Sequence, residues 1–123
     1  MPIMAQKYIP EISEGDRRII FFDGDYVGSV ARIPEEGSIK ANFHAGGSAK
    51  KTGLVFRDKQ IIDKIGKELK KLDLFFVGID IIGDYLTEIN VTSPTGIKQV
   101  NKLNNVKLEQ VFWDKLEAKY KIV

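Results

Sequence analysis

The chain has 123 residues and a mass of 13.9 kDa, which is the size of one ordinary domain. Hydrophobic residues make up 43% of it and charged residues 29%, a balance that argues against a disordered tail or a collagen-like fibre. There is no cysteine, which excludes disulfide bonds, thiolate zinc sites and a cysteine nucleophile. The composition therefore fits a globular domain in a reducing compartment, and we expect a cytoplasmic protein.

The charges give no sign of a nucleic-acid or membrane partner. The 19 basic and 17 acidic residues leave a net charge of +2 and are spread along the chain, whereas nucleic-acid surfaces cluster basic residues. The densest basic stretch, residues 64–71, is typical of the solvated face of a helix. The longest apolar stretch, residues 74–82, contains Asp80 and falls far short of the roughly 20 residues needed to span a bilayer. The N-terminus also lacks the pattern of a signal peptide.

The first half of the chain reads as strands followed by a long loop. Residues 4–9 alternate apolar and polar side chains, which predicts a short strand. Residues 17–22 and 26–33 are two apolar runs around Asp23-Gly24, a strong signal for a β-hairpin. Residues 34–53 are rich in glycine and small residues and show little periodicity. We interpret them as a long glycine-rich loop that acts as a mobile lid.

The second half alternates helices and strands. Residues 58–71 carry apolar side chains on one face and predict an amphipathic helix. Two strands follow, at residues 74–82 and 86–91. Ser93-Pro94 predicts a helix start with serine as the N-cap, and residues 107–121 predict a last helix. The order predicts an α+β fold in which antiparallel hairpins pack against two to three helices.

The apolar residues of the two later strands fix how these strands pair. Bringing the apolar sets onto one face requires a pairing such as Ile79 with Ile89. A plain two-residue turn would not produce that pairing, so we expect an odd-length loop or a bulge around Gly83-Asp84-Tyr85.

This register places Asp80 against Glu88, and we expect Leu86, Glu88 and Asn90 to share that face. Two carboxylates and an amide oxygen suit Mg²⁺, which usually bridges to substrate phosphates. The simpler alternative is that they are ordinary polar side chains on the wet face of a hairpin. The apolar residues nearby, Phe75, Phe76 and Leu86, argue against that alternative.

Six short blocks, in order and without large gaps, carry a family resemblance. They are residues 4–12, 15–18, 31–34, 45–47, 76–84 and 86–95. In these blocks the chain resembles the C-terminal part of the bacterial glutathione synthetase family, which are ATP-grasp ligases. The block LTEINVTSPT at residues 86–95 is the most specific. The resemblance implies a C-terminal ATP-grasp subdomain that helps join γ-glutamylcysteine to glycine, using ATP and Mg²⁺ (or Mn²⁺) through an acyl phosphate.

The resemblance also implies roles for the charged residues. Asp80, Glu88 and Asn90 match the metal ligands that hold the ATP phosphates. Arg18 and Arg32 match arginines that reach the transferred phosphoryl group and the substrate end, and we assign them catalytic roles. Guanidinium forks suit this task because charge spreads over the phosphoryl oxygens during transfer.

Nucleotide contacts are implied for two further regions. Gln6, Tyr8 and Ile9 match the hinge strand whose backbone meets the adenine, and Asp16 matches a residue near the ribose.

The glycine-rich residues 39–51, with Gly46 and Gly47, match a flexible loop that closes over the family's active site and shields the acyl phosphate from water. Lys40 and Ser48 stand here in place of family arginines, which puts loop closure or substrate contact in question.

The predicted helix start offers a substrate-binding hypothesis. Backbone N–H groups and the helix dipole at Ser93 and Thr95 could hold a substrate carboxylate. An ordinary capped helix explains the same residues equally well.

The chain matches only one part of an ATP-grasp ligase. We expect residues 1–123 to be a C-terminal fragment that lacks the N-terminal substrate domain and the first ATP-binding subdomain. The isolated chain is then expected to be inactive, and the full-length family to be homo-oligomeric. Two alternatives stay open: another ATP-grasp carboxylate–amine ligase, or a non-catalytic Mg–ATP-binding module. Assays with exchanged substrates distinguish the first alternative from a glutathione synthetase, and calorimetry with Mg–ATP tests the second.

Overall fold

A computed structural model describes residues 10, 15–33, 48–92 and 94–120. In chain order the elements are β1 (Asp16–Phe22), β2 (Asp25–Ile33), β3 (Ser48–Lys50), α1 (Phe56–Lys71), β4 (Phe76–Ile82), β5 (Tyr85–Asn90), α2 (Ile97–Asn104) and α3 (Leu108–Tyr120). The predicted strand at residues 4–9, and residues 34–47 of the predicted lid, lie outside the described residues. None of the described helices combines the length and the apolar character that crossing a membrane requires.

The strands form one antiparallel sheet in the order β3-β2-β1-β4-β5. The hairpin between β1 and β2 turns at Asp23 and Gly24, whose φ angles of 52° and 78° suit the Asp-Gly pair. The β4–β5 hairpin lies on the other side of β1. The predicted α+β fold with antiparallel hairpins is therefore confirmed.

One face of the sheet packs against α1. Alternate residues of β1 and β4 point toward this helix because strand side chains alternate between faces. The buried cluster between them consists of Ile19, Phe21, Ile61, Leu69, Val77, Ile79 and Ile81. Burial of this face fixes β1 and β4 side by side.

The opposite face is divided into two halves. The half near the β1–β2 turn packs against α2 and α3 through a cluster of Ile20, Phe22, Val30, Val100 and Leu108. The half at the other end of β1 carries charged side chains, which are described below. The helices α2 and α3 thus cover the half near the β1–β2 turn, and the polar side chains lie on the other half.

The predicted helix start at Ser93-Pro94 is wrong. The helix α2 begins at Ile97 after Gly96, whose φ of 124° is a conformation that glycine adopts readily. Pro94 is buried and packs over Gly78, and the carbonyl oxygen of Thr95 accepts a hydrogen bond from Arg18. These tertiary contacts hold the segment in a non-helical path. Ser93 itself lies outside the described residues.

Part of the predicted loop at residues 34–53 is a strand. The short strand β3 pairs with the end of β2, with Ala31 opposite Lys50 and Ile33 opposite Ser48. The prediction of a structureless segment is wrong for these three residues, because β2 offers them an unpaired edge. Small residues here gave no periodic signal that would have shown the pairing.

Candidate functional site

The β4–β5 hairpin has the register that its apolar pattern predicts. Ile79 lies opposite Ile89, and Asp80 lies opposite Glu88. The turn is a two-residue one at Gly83-Asp84, and the register shifts farther along the ladder, at the level of Thr87. The predicted bulge therefore exists, but it lies within β5 and not in the loop.

The position of the bulge overturns one prediction. Leu86 pairs with Ile81 and packs against the buried cluster between the sheet and α1. It therefore does not share a face with Glu88. Because the extra residue follows Leu86, the alternation along β5 changes face between Leu86 and Glu88. Leu86 therefore lies on the α1 face and adds no apolar surface to the face of Glu88.

Charged residues from four neighbouring strands form a row on one face of the sheet, which we call the charged row. Its members, across the sheet, are Arg32 on β2, Asp16 and Arg18 on β1, Asp80 on β4 and Glu88 on β5. Arg18 lies opposite Asp80 in the β1–β4 ladder, and Asp80 lies opposite Glu88. Strand pairing thus brings together five of the residues that the sequence singles out.

Asp80 is the centre of the charged row. It is only 4% exposed, and Arg18 holds it through two hydrogen bonds, Nε to Oδ1 at 2.6 Å and Nη2 to Oδ2 at 3.1 Å. Nη2 of Arg32 lies 3.0 Å from the same Oδ2. The two guanidiniums that are candidates for phosphoryl contact therefore share one carboxylate.

Asp16 extends this network to its other side. Nε of Arg32 donates to Oδ1 of Asp16 at 2.8 Å, and Nη2 of Arg32 pairs with the second oxygen. Both residues are buried. Paired carboxylates hold each guanidinium in a fixed fork, which is the geometry that suits a planar oxyanion.

Burial and like charge shift the pKa values in the charged row. Loss of water raises the pKa of Glu88 first, and the nearby charge of Asp80 raises it further. Burial also raises the pKa of Asp16, against the opposing pull of Arg32. Burial alone would lower the pKa of Arg32, but its bonds to Asp16 and Asp80 outweigh that and raise it. The three carboxylates of the charged row outnumber its two guanidiniums, which is consistent with these directions.

Asn90 and Thr95 lie beside the charged row. Asn90 pairs with Gly78 on the same face as Glu88, and its Oδ1 accepts a hydrogen bond of 3.1 Å from the Thr92 N–H. The carbonyl oxygen of Thr95 accepts a bond of 2.9 Å from Nη1 of Arg18. Asp80, Glu88 and Asn90 therefore project together as predicted, and Thr95 is joined to them through its main chain.

The donor set fits a hard divalent cation. Asp80 and Glu88 supply carboxylate oxygens from directly opposed residues, and Asn90 supplies an amide oxygen two residues farther along. Loss of water first, and then the charge of Asp80, raises the pKa of Glu88, and a bound cation would offset both effects. Over the described ranges, no cluster of three or more His, Cys, Asp or Glu side chains forms a metal-binding group. Any cation here would therefore depend on the amide and on outside ligands as well.

Several predicted site residues cannot be placed. Gln6, Tyr8, Ile9, Gly46, Gly47 and Ser93 all lie outside the described residues.

The sequence reasoning misses one charge pair, in which Asp58 is buried and Arg17 is partly exposed. Arg17 and Asp58 form a two-bond ion pair on the face of the sheet opposite the charged row. Asp58 lies three residues before Ile61 and seven before Ile65, so it falls on the apolar stripe of α1. A charged residue on an apolar stripe is a signal of a buried ion pair, and it could have been noticed.

Comparisons with known proteins agree with the fold. The family model for the prokaryotic glutathione synthetase ATP-grasp domain matches residues 1–105. The chain is 46% identical over 118 residues to the glutathione synthetase of Agrobacterium fabrum, covering 96% of this chain and 37% of that protein. It is 48% identical over 103 residues to that of Parasynechococcus marenigrum, covering 84% of this chain and 34% of that protein.

The glutathione synthetase of Prochlorococcus marinus gives a similar result, with 45% identity over 116 residues. That match covers 94% of this chain and 38% of the relative. The chain thus spans a little over a third of the length of these curated relatives. On the match to residues 1–105, the chain belongs to the prokaryotic glutathione synthetase ATP-grasp family.

Proposed function

We propose that this chain is the C-terminal ATP-grasp part of a glutathione synthetase, which joins γ-glutamylcysteine to glycine with ATP as co-substrate. The observation that carries this proposal is the charged row, in which Asp80 lies between Arg18 and Glu88 on one face of the sheet. A carboxylate pair beside two fixed guanidiniums is suited to hold a cation and phosphate oxygens next to each other.

Arg18 and Arg32 are the residues assigned to the transferring phosphoryl group. Both are buried and both are held by carboxylates, so little side-chain motion is needed to present a guanidinium to an oxyanion. Such preorganised positive charge stabilises phosphoryl transfer more than a mobile surface charge does. Asp16 supports this role because its carboxylate orients Arg32. Asp16 is also proposed to lie near the ribose of ATP.

Asp80, Glu88 and Asn90 are the residues that would hold Mg²⁺ or Mn²⁺. When bound, the cation would neutralise phosphate charge on ATP. Binding would draw on Asp80 and Glu88, and the pKa of Glu88 is already raised by loss of water first and by the charge of Asp80 second. Ionised Glu88 is thus better tolerated with the cation than without it.

The remaining assignments complete the proposed site. Gln6, Tyr8 and Ile9 are proposed to meet the adenine, and Gly46 and Gly47 to lie in the closing loop. Ser93 and Thr95 are proposed for a substrate carboxylate. For Thr95, the support is the bond from Arg18 to its carbonyl, which places this segment beside the charged row.

The proposal extends to the whole protein. We propose that the chain works with an N-terminal substrate domain and a first ATP-binding subdomain, in a homo-oligomer in the cytoplasm. The support is that the chain spans 37% of the glutathione synthetase of Agrobacterium fabrum. Ligation requires ATP and both substrates to be positioned together, so the isolated chain is expected to be inactive.

The test is phosphate release from ATP by the full-length protein that contains this chain, with γ-glutamylcysteine and glycine present. We expect release to require both substrates and to be lost in the variants Arg32→Lys and Glu88→Gln. Release with a different carboxylate–amine pair would assign another ATP-grasp ligase. Mg–ATP binding by the full-length protein without release for any pair would assign a non-catalytic module.

A further inference from the structure

The ion pair between Arg17 and Asp58 joins α1 to the sheet behind the charged row. Nε of Arg17 donates to Oδ2 of Asp58 at 3.0 Å, and Nη2 donates to Oδ1 at 2.7 Å. Asp58 is completely buried, and its Oδ2 also accepts a 3.3 Å bond from the Val55 N–H at the start of α1. Arg17 therefore holds the first turn of α1 through a single carboxylate.

The same guanidinium also holds the β4–β5 turn. Nη2 of Arg17 donates to the carbonyl oxygen of Gly83 at 2.6 Å. A second link runs from Nε of Arg57 in α1 to the carbonyl oxygen of Asp84 at 3.1 Å. Both residues of the two-residue turn are thus fixed to α1 or to β1.

The turn holds β5 together with two other contacts: Oγ1 of Thr87 donates to the carbonyl oxygen of Asp80 at 3.2 Å, and Leu86 packs against the buried cluster between the sheet and α1. Among the strands that the structure describes, β5 is at the edge and is hydrogen-bonded to β4. Glu88 reaches its place opposite Asp80 only through the turn and the bulge at Thr87. A shift of one residue in this ladder would move Glu88 to the other face.

Stability alone does not account for the pair. Burying two charges costs desolvation energy, and a buried ion pair is often no more stabilising than apolar residues of similar volume. The bond to Gly83 is a contact that an apolar pair would not supply. It is the contact that connects this pair to the hairpin that carries Glu88.

We infer that Arg17 is a positioning residue for the charged row, and that with Asp58 it holds the β4–β5 turn so that Glu88 faces Asp80. The inference rests on the proposed function only where it concerns the cation. It assigns Arg17 no contact with substrate, because its side chain lies on the opposite face of the sheet from Arg18.

The experiment compares four forms of the full-length protein that contains this chain, namely the wild type and three variants. The double variant Arg17→Met/Asp58→Met removes the bond to Gly83 and leaves no unpaired buried charge. Glu88→Gln removes a proposed cation ligand. Lys119→Met is the matched control, since it breaks ion pairs to Asp23 and Asp73 at the far end of β1.

Three quantities are measured on each form. Urea unfolding gives the stability, amide hydrogen exchange at residues 85–90 gives the order of β5, and a Mn²⁺ titration in the presence of ATP, followed by electron paramagnetic resonance, gives cation affinity. In the double variant we expect exchange in β5 to be about tenfold faster at unchanged overall stability. We expect its Mn²⁺ dissociation constant to rise about fivefold, less than for loss of a direct partner of a metal ligand. Lys119→Met is expected to alter neither exchange in β5 nor Mn²⁺ affinity.

The outcomes separate the inference from the proposed function. Unchanged exchange in β5 in the double variant would overturn the positioning role, whatever Mn²⁺ does. Faster exchange with unchanged Mn²⁺ affinity would overturn the connection to the cation site. A wild-type full-length protein without saturable Mn²⁺ binding, or with the same binding in Glu88→Gln, would count against the proposed cation site. In that case the exchange measurement still decides the role of Arg17.

Discussion

Arg18 and Asp80 lie 62 positions apart in the sequence and form a two-bond ion pair across neighbouring strands. Each is only 4% exposed. The pair joins a candidate for phosphoryl contact directly to a candidate for cation binding. Binding of a ligand at either residue is therefore expected to be felt at the other, because the two side chains share two hydrogen bonds.

The first prediction compares the buried and exposed carboxylates of the charged row. Asp80→Asn leaves two buried guanidiniums without their shared counter-charge, and we expect a loss of about 3 kcal/mol in the free energy of unfolding. Glu88→Gln changes an exposed residue that adds to the repulsion, so we expect a change within about 0.5 kcal/mol. Urea unfolding followed by circular dichroism measures both. Equal losses in the two variants would contradict the central place of Asp80.

The relation between sequence and structure is clearest in the β4–β5 hairpin. The apolar alternation predicts that Ile79 faces Ile89, because a buried face tolerates no slip of one residue. The alternation does not predict the position of the bulge, because an extra residue before or after Leu86 would bring Ile89 opposite Ile79 equally well. Leu86 was therefore placed on the wrong face, while Glu88 was placed correctly.

Contacts between distant elements are what the sequence pattern does not show. The pair of Arg17 and Asp58 joins residues 41 positions apart, and neither residue has a local signal that names its partner. The predicted start of α2 is wrong for the same reason. The Ser93-Pro94 pattern favours a helix, but burial of Pro94 over Gly78 and the bond from Arg18 to Thr95 delay it to Ile97. Tertiary packing overrides the local preference there.

The second prediction concerns pH. The pKa of Glu88 is raised above its ordinary value of 4.5 and that of Asp16 above 3.8; loss of water is the first cause in both, partial for the exposed Glu88 and larger for the buried Asp16. The folded protein therefore holds these protons more tightly than the unfolded chain does. Between each ordinary pKa and its raised value, the contribution of these groups to the free energy of unfolding falls as the pH rises.

The variant Glu88→Gln isolates this effect, because glutamine does not titrate. We expect the free energy of unfolding of the wild type, minus that of Glu88→Gln, to decrease as the pH rises above 4.5, the ordinary pKa of glutamate. Urea unfolding at a series of pH values measures the difference and cancels the other titrating groups. A difference that grows with pH would mean that the folded protein favours the ionised form of Glu88.

The third prediction tests the contact between β4 and the segment before α2. A Cβ at Gly78 would lie 2.7 Å from Cβ of Pro94 and 3.2 Å from Cδ of Arg18. We expect Gly78→Ala to lower the free energy of unfolding by about 1–3 kcal/mol, because both neighbours must move. Gly53→Ala is the matched control, since nothing lies within 4 Å of its Cβ. Thermal unfolding of the two variants should differ clearly, and an equal effect would refute the close packing of Pro94 on β4.

The fourth prediction concerns how α3 is anchored on the half of the sheet near the β1–β2 turn. The ring of Phe112 makes edge-to-face contacts with Phe22, Phe75 and Phe76 at centroid distances of 5.3, 5.2 and 5.9 Å. Trp113 is 56% exposed and contacts the ring of Phe112 at 5.4 Å. We expect Phe112→Ala to cost about 3 kcal/mol, because it opens a cavity among three rings.

Trp113→Ala is the neighbouring control, with an expected cost below about 1 kcal/mol, because its side chain is largely in water already. Circular dichroism in urea suits both variants, since Trp113 is the chain's one tryptophan and its loss removes the fluorescence signal. Equal losses would show that α3 is held through its exposed face. A large loss for Phe112→Ala alone would show that the aromatic cluster holds α3 on the sheet and keeps α2 and α3 over their half of the face.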